Sequence, residues 1–300
     1  MEYFAIYKLD DATNIAYSAG VSSQVITSSS SVKTVANHTL YASWTANKAT
    51  INVKKDGSAF SPSNMKIALY SGSTEKYSAT NSSGSSVSWS PVVAGTYKIY
   101  AGKNSKATTT MVDTGVTITV STTQSATIDY YTVTITAGSY GTVNLTSLVV
   151  LKNETYSASS NVLTVSNQTS TASPTAATGH TTTFSKWTLT NASGTQVGST
   201  ATKVTAATTI YANFTRTINQ YKITYDAATH GGSLTKGEAT ATLDYNATVD
   251  LTGRVAAKSG WTFVGWNTNK DATSGLSSYN MPAENKTLYA IYKVTYTAKF

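Results

Sequence analysis

The chain has 300 residues, of which 40% are hydrophobic and 12% are charged, which is about half the charged fraction of an average globular protein. The formal net charge of +8 comes almost entirely from lysines scattered singly along the chain, a distribution that argues against a nucleic-acid interface of clustered basic and aromatic residues. The absence of Cys excludes thiol catalysis.

The first 47 residues contain two segments that recur later in the chain. One is the aromatic alternation Tyr3–Tyr7, and the other is His38–Trp44, in which aliphatic and small residues alternate with aromatic ones. Alternation with a period of two predicts that the second segment is a strand with an aromatic face. The Ser-rich stretch between them, at 18–31, is a loop by composition.

Residues 48–130 follow a different pattern. Short apolar alternations at 51–54, 66–70, 97–100 and 116–120 are separated by turn residues at short intervals. Many short strands with regular turns are typical of a β-sandwich. The sequence therefore predicts one sandwich module here.

The remainder of the chain is organised by internal repeats, which outrank local patterns in a fold prediction. Each copy has an opening strand, an aromatic centre and an ending, and a Gly precedes each centre, at Gly179 and Gly260. The openings are Tyr131–Ile135 and Tyr221–Tyr225, the centres Thr183–Trp187 and Thr262–Trp266, and the endings Thr208–Phe214 and Lys286–Tyr292. A third opening, Tyr292–Tyr296, overlaps the last ending. One short helix is expected near Thr252–Lys258.

Residues 218–293 resemble the internalin B-repeat, also called the Listeria–Bacteroides repeat. The resemblance is carried by the opening Tyr221–Tyr225, the turn Gly231–Gly232, the centre Gly260–Trp266 and the segment Asn280–Ala290. It implies a small β-grasp-like fold in a secreted or wall-attached bacterial protein. Members of this family serve as spacers and sometimes as binding modules, and the family brings no catalytic residue.

The resemblance extends more weakly to the other modules. Residues 131–217 resemble a divergent copy of the repeat, residues 1–47 the C-terminal half of one, and residues 294–300 the opening strand of a further unit. Residues 48–130 resemble the prealbumin-like sandwich of Gram-positive surface proteins. We therefore expect an all-β chain of tandem small modules, with β-grasp-like repeats and one β-sandwich.

The resemblance to sandwich modules raises the question of an intramolecular isopeptide bond. Lys54 or Lys55 could supply the amine and Asp129 the carboxyl group. The related modules often have Glu where this chain has Ala101, and without a nearby acid the bond would form slowly. We expect no such bond.

No catalytic, cofactor or metal site is expected. His38, His180 and His230 lie in three different modules, without a second ligand at metal-binding spacing. His230 precedes Gly231–Gly232, so it is expected to be a turn residue. The acidic pair Asp10–Asp11 faces opposite sides of the chain if the backbone is extended.

The aromatic residues permit two interpretations. Those at equivalent positions of the repeats are expected in the cores, namely Trp44, Trp187, Trp266, Tyr41, Tyr211 and Tyr289. Trp89 and Trp261 are less constrained, and alternation with Phe263 is expected to place Trp261 on a buried face. Burial of all five Trp would favour a structural role, whereas an exposed aromatic patch would favour sugar binding.

The leading hypothesis is a non-enzymatic stalk or adhesin fragment of a bacterial cell-wall protein that spaces or presents binding modules. One alternative is a module that binds a surface polysaccharide, a host glycan or a host receptor, helped by a diffuse attraction to anionic polymers. Another is a filament in which residues 294–300 of one chain complete the half-repeat 1–47 of the next, head to tail. Membrane insertion is not expected, because no run approaches eighteen apolar residues. Nucleic-acid binding is not expected either, because the basic residues are scattered.

Overall fold

The computed structural model describes residues 14–19, 22–26, 40–43, 46–294 and 296. Within these residues strands dominate, and the helical structure is a single 3₁₀ turn, Ala228–His230. The predicted all-β class is confirmed. The chain divides into two compact units. The first comprises 1–132, 149–154 and 204–206, and the second comprises 133–148, 155–203 and 207–300.

Among the described residues, eleven strands precede residue 138. They are β1 (Asn14–Ala19), β2 (Ser22–Ile26), β3 (Leu40–Ser43), β4 (Lys48–Lys55), β5 (Ser58–Ala59), β6 (Met65–Ser71), β7 (Thr74–Asn81), β8 (Ser86–Trp89), β9 (Gly95–Asn104), β10 (Ala107–Val120) and β11 (Thr123–Ala137). The first three form an antiparallel sheet in the order β2-β1-β3. The side chains predicted to form a core here, Tyr41 and Trp44, lie outside the described residues.

Strands β4, β6 to β10 and the first half of β11 share one hydrophobic core. In β4 the alternation of the sequence places Ala49, Ile51 and Val53 inside, as expected for a strand with one buried face. β4 pairs antiparallel with β8 and parallel with β11, and β9 pairs antiparallel with β6 and β10. At the centre, the buried Tyr130 hydroxyl donates a 2.6 Å hydrogen bond to the Gly102 carbonyl.

The buried polar residues of this core are uncharged. Asn81 donates to the Gly84 carbonyl at 2.8 Å, and Asn104 accepts from the Lys106 and Ala107 N–H groups at 2.9 and 2.8 Å. Both amides therefore close turns, which is the usual way for a buried side-chain amide to satisfy its hydrogen bonds. Among the described residues of the sandwich no Lys, Asp or Glu is buried.

Fourteen strands follow in the described part of the remaining chain. They are β12 (Gly141–Val143), β13 (Ser147–Leu151), β14 (Thr155–Ser159), β15 (Val162–Val165), β16 (Gln168–Pro174), β17 (His180–Leu189), β18 (Thr202–Lys203), β19 (Thr208–Ile218), β20 (Gln220–Asp226), β21 (Ser233–Lys236), β22 (Thr240–Asp244), β23 (Val255–Ala257), β24 (Thr262–Asn267) and β25 (Lys286–Lys293). We call residues 131–217 the first repeat and residues 218–293 the second repeat.

The two repeats share one strand arrangement. In the first, β11 pairs parallel with β19, and β19 pairs antiparallel with β17. In the second, β20 pairs parallel with β25, and β25 pairs antiparallel with β24. The opening, ending and centre defined by the sequence are thus the same three adjacent strands in both copies. The first repeat differs by a separate five-stranded sheet in the order β12-β16-β15-β14-β18.

Both centre strands carry a β-bulge at the same place. The register shifts between Phe184 and Lys186 in β17, and between Phe263 and Gly265 in β24. Residues three apart in a regular strand face opposite sides, and the extra residue of a bulge brings them to the same side. Each Phe ring therefore contacts the Trp three positions later, with centroids 5.7 and 5.4 Å apart.

These tryptophans are the largest side chains of the repeat cores. Trp187 is 1% exposed and Trp266 is fully buried, so their predicted burial is confirmed. The prediction for the tyrosines of the endings is wrong, because Tyr211 and Tyr289 are only half-buried. Their aliphatic and Ala neighbours in the strand are the buried residues, since alternation sends the two sets to opposite faces.

The helix predicted near Thr252–Lys258 is not present. Asp250 instead accepts hydrogen bonds from the Thr252 and Gly253 N–H groups at 3.0 and 2.7 Å, and such side-chain bonding competes with a helix. The following Val255–Ala257 pairs with β21 as a strand. The helix prediction failed because a segment of seven residues is too short to show a clear helical or strand periodicity of apolar residues.

Candidate functional site

The junction between the two repeats is built around a tight turn of the first repeat, Ala177–His180. The His180 N–H donates to the Ala177 carbonyl at 3.1 Å, which closes a β-turn. Gly179 adopts a φ of 68°, which favours glycine because it has no Cβ. This is the Gly that precedes the aromatic centre in the sequence.

The second repeat covers this turn. Asn219, the one residue between β19 and β20, donates from its backbone N–H to the Gly179 carbonyl at 2.9 Å and accepts from the Thr181 hydroxyl at 2.6 Å. The Tyr245 ring lies against Gly179, so closely that an added Cβ would meet its Cγ at 2.1 Å. The His180 and Tyr245 rings meet edge to face with centroids 5.9 Å apart, a favourable aromatic arrangement.

The second repeat has the same turn at Lys258–Trp261. The Trp261 N–H donates to the Lys258 carbonyl at 3.0 Å, and Gly260 has a φ of 74°. Nothing lies within 4 Å of a Cβ added at Gly260, and Trp261 is 42% exposed. The Lys258 ammonium lies 4.2 Å from the Trp261 ring centroid, within the range of a cation–π contact.

The prediction that Trp261 shares the buried face of Phe263 is therefore wrong. Trp261 belongs to the turn that precedes β24, beyond the edge of the sheet, whereas the Phe263 ring contacts both Trp266 and Tyr292. Of the other tryptophans, Trp89 is half-buried. The tryptophans therefore do not decide between a structural role and sugar binding: Trp187 and Trp266 are buried, Trp89 is half-buried and Trp261 is exposed.

The predicted histidines have structural roles where they are described. His230 ends the 3₁₀ turn before Gly231, and its Nδ1 lies 3.0 Å from the Ala290 carbonyl, so its prediction as a turn residue is confirmed. His180 belongs to the junction. His38, Asp10 and Asp11 lie outside the described residues. Within the described ranges, no three His, Cys, Asp or Glu side chains come together in a way that could hold a metal ion.

Sequence analysis missed two aromatic contacts. One is Tyr245, whose contacts with Gly179 and His180 are not signalled by any local pattern of the sequence. The other is Tyr140, which is 48% exposed and carries the Arg216 guanidinium 4.0 Å from its ring centroid.

A sequence model of the Listeria–Bacteroides repeat domain matches residues 150–213 and 221–291. The chain carries two Listeria–Bacteroides repeats. These repeats point to a surface or extracellular protein with repeat domains. In the part of the chain that the structure describes, no helix has the length and apolarity needed to cross a membrane.

Among solved structures, the chain is similar to the Bacillus anthracis TIE protein, with 7% sequence identity and a TM-score of 0.27. The similarity covers 86% of this chain and 52% of the TIE chain, and at this TM-score it supports no conclusion on fold or function. No curated protein matches the chain.

Proposed function

We propose that this chain is a non-enzymatic spacer of a bacterial cell-wall protein and holds binding modules away from the cell. The observation that carries the proposal is the junction between the repeats. A single residue, Asn219, links the last strand of one repeat to the first strand of the next, and Tyr245 packs on Gly179. A one-residue connection that is itself hydrogen-bonded leaves little freedom for a hinge, whereas flexible linkers are longer and polar.

The cores of the repeats support the same role. Each is closed by a buried Trp that contacts a Phe, so each copy obtains its stability from burial without any disulfide. A spacer outside the cell needs folded modules that resist proteases, because cleavage starts from opened states of the chain. Two repeats with buried Trp residues, joined by a hydrogen-bonded and packed junction, meet this requirement for protease resistance.

The test displays the chain on a bacterial surface between a wall anchor and a terminal epitope tag. We expect the native chain to keep the tag accessible to antibody and to resist added protease. The double variant Trp187→Ala, Trp266→Ala is expected to lose the tag to protease, because both cores are emptied. Trp261→Ala serves as the matched control with an exposed Trp. Equal protease resistance of the double variant and the control would contradict the spacer proposal.

A second candidate function, binding of an anionic glycan, is favoured by the exposed Trp261 with the Lys258 ammonium beside it. An aromatic face offers stacking to a sugar ring, and the ammonium offers a partner for a carboxylate or phosphate. Titration with purified teichoic acid tests it. Binding that is lost in Trp261→Ala and kept in Tyr140→Ala, the control for an exposed aromatic, would support this function. Binding unaffected by Trp261→Ala would exclude this site.

A further inference from the structure

The second repeat presents a turn whose counterpart in the first repeat is covered. We call Ala177–His180 and Lys258–Trp261 the docking turns. Both are four-residue turns closed by a hydrogen bond from the fourth N–H to the first carbonyl, with a Gly of positive φ in third position. Both have their end residues joined as an isolated β-bridge, and both lead into a centre strand. The two turns therefore share their closing hydrogen bond, their bridge and the conformation of their Gly.

The element that covers a docking turn also occurs in both repeats. We call Asp244–Ala247 and Leu151–Glu154 the covering turns. In each, the fourth N–H donates to the first carbonyl, at 3.0 and 3.1 Å, and an Asn in third position has a positive φ. The second residue, Tyr245 or Lys152, donates from its N–H to the carbonyl two residues before the repeat's opening Tyr, that of Asn219 or Asp129, at 2.9 Å in both cases.

Each repeat thus carries a docking turn and a turn with the backbone of a covering turn. At the junction of this chain the side chain in second position of the covering turn is Tyr245, and it lies on Gly179 and against His180. At the second docking turn the same space is open, since nothing approaches Gly260 and Trp261 is 42% exposed. The second docking turn therefore leaves uncovered the two positions that Tyr245 covers in the first, the Gly and the ring of the residue after it.

We propose that the Lys258–Trp261 docking turn binds a further Listeria–Bacteroides repeat, whose covering turn places an aromatic side chain over Gly260 and against Trp261. This rests on the spacer function proposed above and deepens it by naming the partner. The occupant is a β-repeat, because the covered copy of this turn is held by a β-repeat. The register supports a tandem connection, since Thr262 pairs with Lys293 as Thr181, the equivalent residue of the first repeat, pairs with Thr217.

In the experiment, a second copy of residues 219–293 is placed directly after Val294. The copied Asn219 then follows Val294 in the same way as the native Asn219 follows Ile218. Tryptophan is replaced by 5-fluorotryptophan, and the ¹⁹F resonance of Trp261 is assigned with Trp261→Phe. The shift of this resonance between H₂O and D₂O reports the exposure of the indole. In the unextended chain we expect a clear isotope shift at Trp261 and none at the buried Trp266.

In the extended chain the isotope shift of Trp261 is expected to be lost. The matched control changes Tyr245 to Ala in the appended copy alone, and it should restore the shift while leaving the copied repeat folded. A Trp261 that stays exposed beside a folded copy would overturn the proposal. A copy that does not fold would overturn it as well, because the same repeat folds behind the equivalent turn of the native chain.

The remaining outcomes identify other occupants. If the Trp261 resonance of the unextended chain moves with protein concentration, a second copy of the chain occupies the turn. If it moves on addition of teichoic acid, the occupant is a glycan. Either result would refute docking of a repeat. The display assay for the spacer function does not depend on Trp261. Docking can therefore be refuted while the spacer proposal stands, and the spacer proposal can be refuted while docking stands.

Discussion

Replacement of Trp266 by Ala tests the central packing of the second repeat. Trp266 is fully buried, its ring meets those of Tyr225 and Phe263 with centroids 5.1 and 5.4 Å away, and its indole N–H donates to the Arg254 carbonyl at 2.9 Å. The substitution removes the ring, leaves a cavity between the sheet and the Asp250–Arg254 turn, and leaves the Arg254 carbonyl without its partner.

The expected cost is large compared with the stability of the module. Burial of a Trp removes roughly 150–250 Å² from water, which corresponds to about 4–6 kcal/mol at 25 cal/mol per Å², and measured Trp→Ala costs in cores are about 3–5 kcal/mol. A domain of about 75 residues has roughly 4–11 kcal/mol of stability in total. The second repeat of Trp266→Ala should therefore be close to the point of unfolding.

The assay follows each repeat separately, because a chain of several modules does not unfold in a single two-state step. Hydrogen exchange read by mass spectrometry should show loss of protection in β20, β24 and β25 of Trp266→Ala, together with early proteolysis of this segment. Trp261→Ala in the same repeat is the matched control, and its cost should be clearly smaller than that of Trp266→Ala, because Trp261 is 42% exposed whereas Trp266 is fully buried. Equal protection in the two variants would refute the assignment of Trp266 to the core.

Two milder substitutions, Trp266→Phe and Trp187→Phe, separate the contribution of ring packing to stability from that of the indole hydrogen bond. Trp266→Phe keeps most of the ring but loses the bond to the Arg254 carbonyl, whereas the Trp187 indole N–H has no hydrogen-bond partner among the described residues. Trp187→Phe should therefore be cheaper than Trp266→Phe by about 1 kcal/mol, the usual net value of one hydrogen bond. A reversed order of the two costs would show that the indole bond contributes nothing.

Three further predictions concern other parts of the chain. Intact-mass measurement should give the mass of the unmodified sequence, because Lys54 and Asp129 border a core in which the structure describes no buried Lys or acid; a deficit of one water or one ammonia would contradict this. The Gly253 and Thr252 N–H groups and the nearby Arg254 lower the pKa of Asp250, so the stability it contributes is present above the ordinary carboxyl pKa and is lost as pH falls through the lowered one. Asp250→Asn should therefore flatten the fall of the second repeat's melting temperature below about pH 4, and parallel curves for variant and native chain would count against it. If chains join head to tail, deletion of 294–300 should convert concentration-dependent oligomers of the full chain into monomers in sedimentation experiments; a full chain that stays monomeric at high concentration would exclude the filament.

Strand positions and core tryptophans could be predicted from the sequence because they depend on local alternation and on the internal repeats. The burial of Trp187 and Trp266 follows from their equivalent places in two copies. The exposure of Trp261 could not be predicted, because alternation with Phe263 gives its face but not whether the sheet extends beneath it. Tyr245 escaped notice since its partner, Gly179, is more than sixty residues away in the sequence.

The two repeats keep their core aromatic residues but differ in the residues of their docking turns. Their closed cores keep the same Phe and Trp around the same bulge, because a core of fixed shape must be filled in the same way in each copy. The docking turns have Ala177 and His180 in one copy and Lys258 and Trp261 in the other, although their backbones match. The side chains of a turn that faces another module must fit the side chain that the module places on them. The core of the repeat does not constrain these side chains. The residues of the docking turns are therefore the places to compare when the covered and the open turn are tested against the same covering residue, Tyr245.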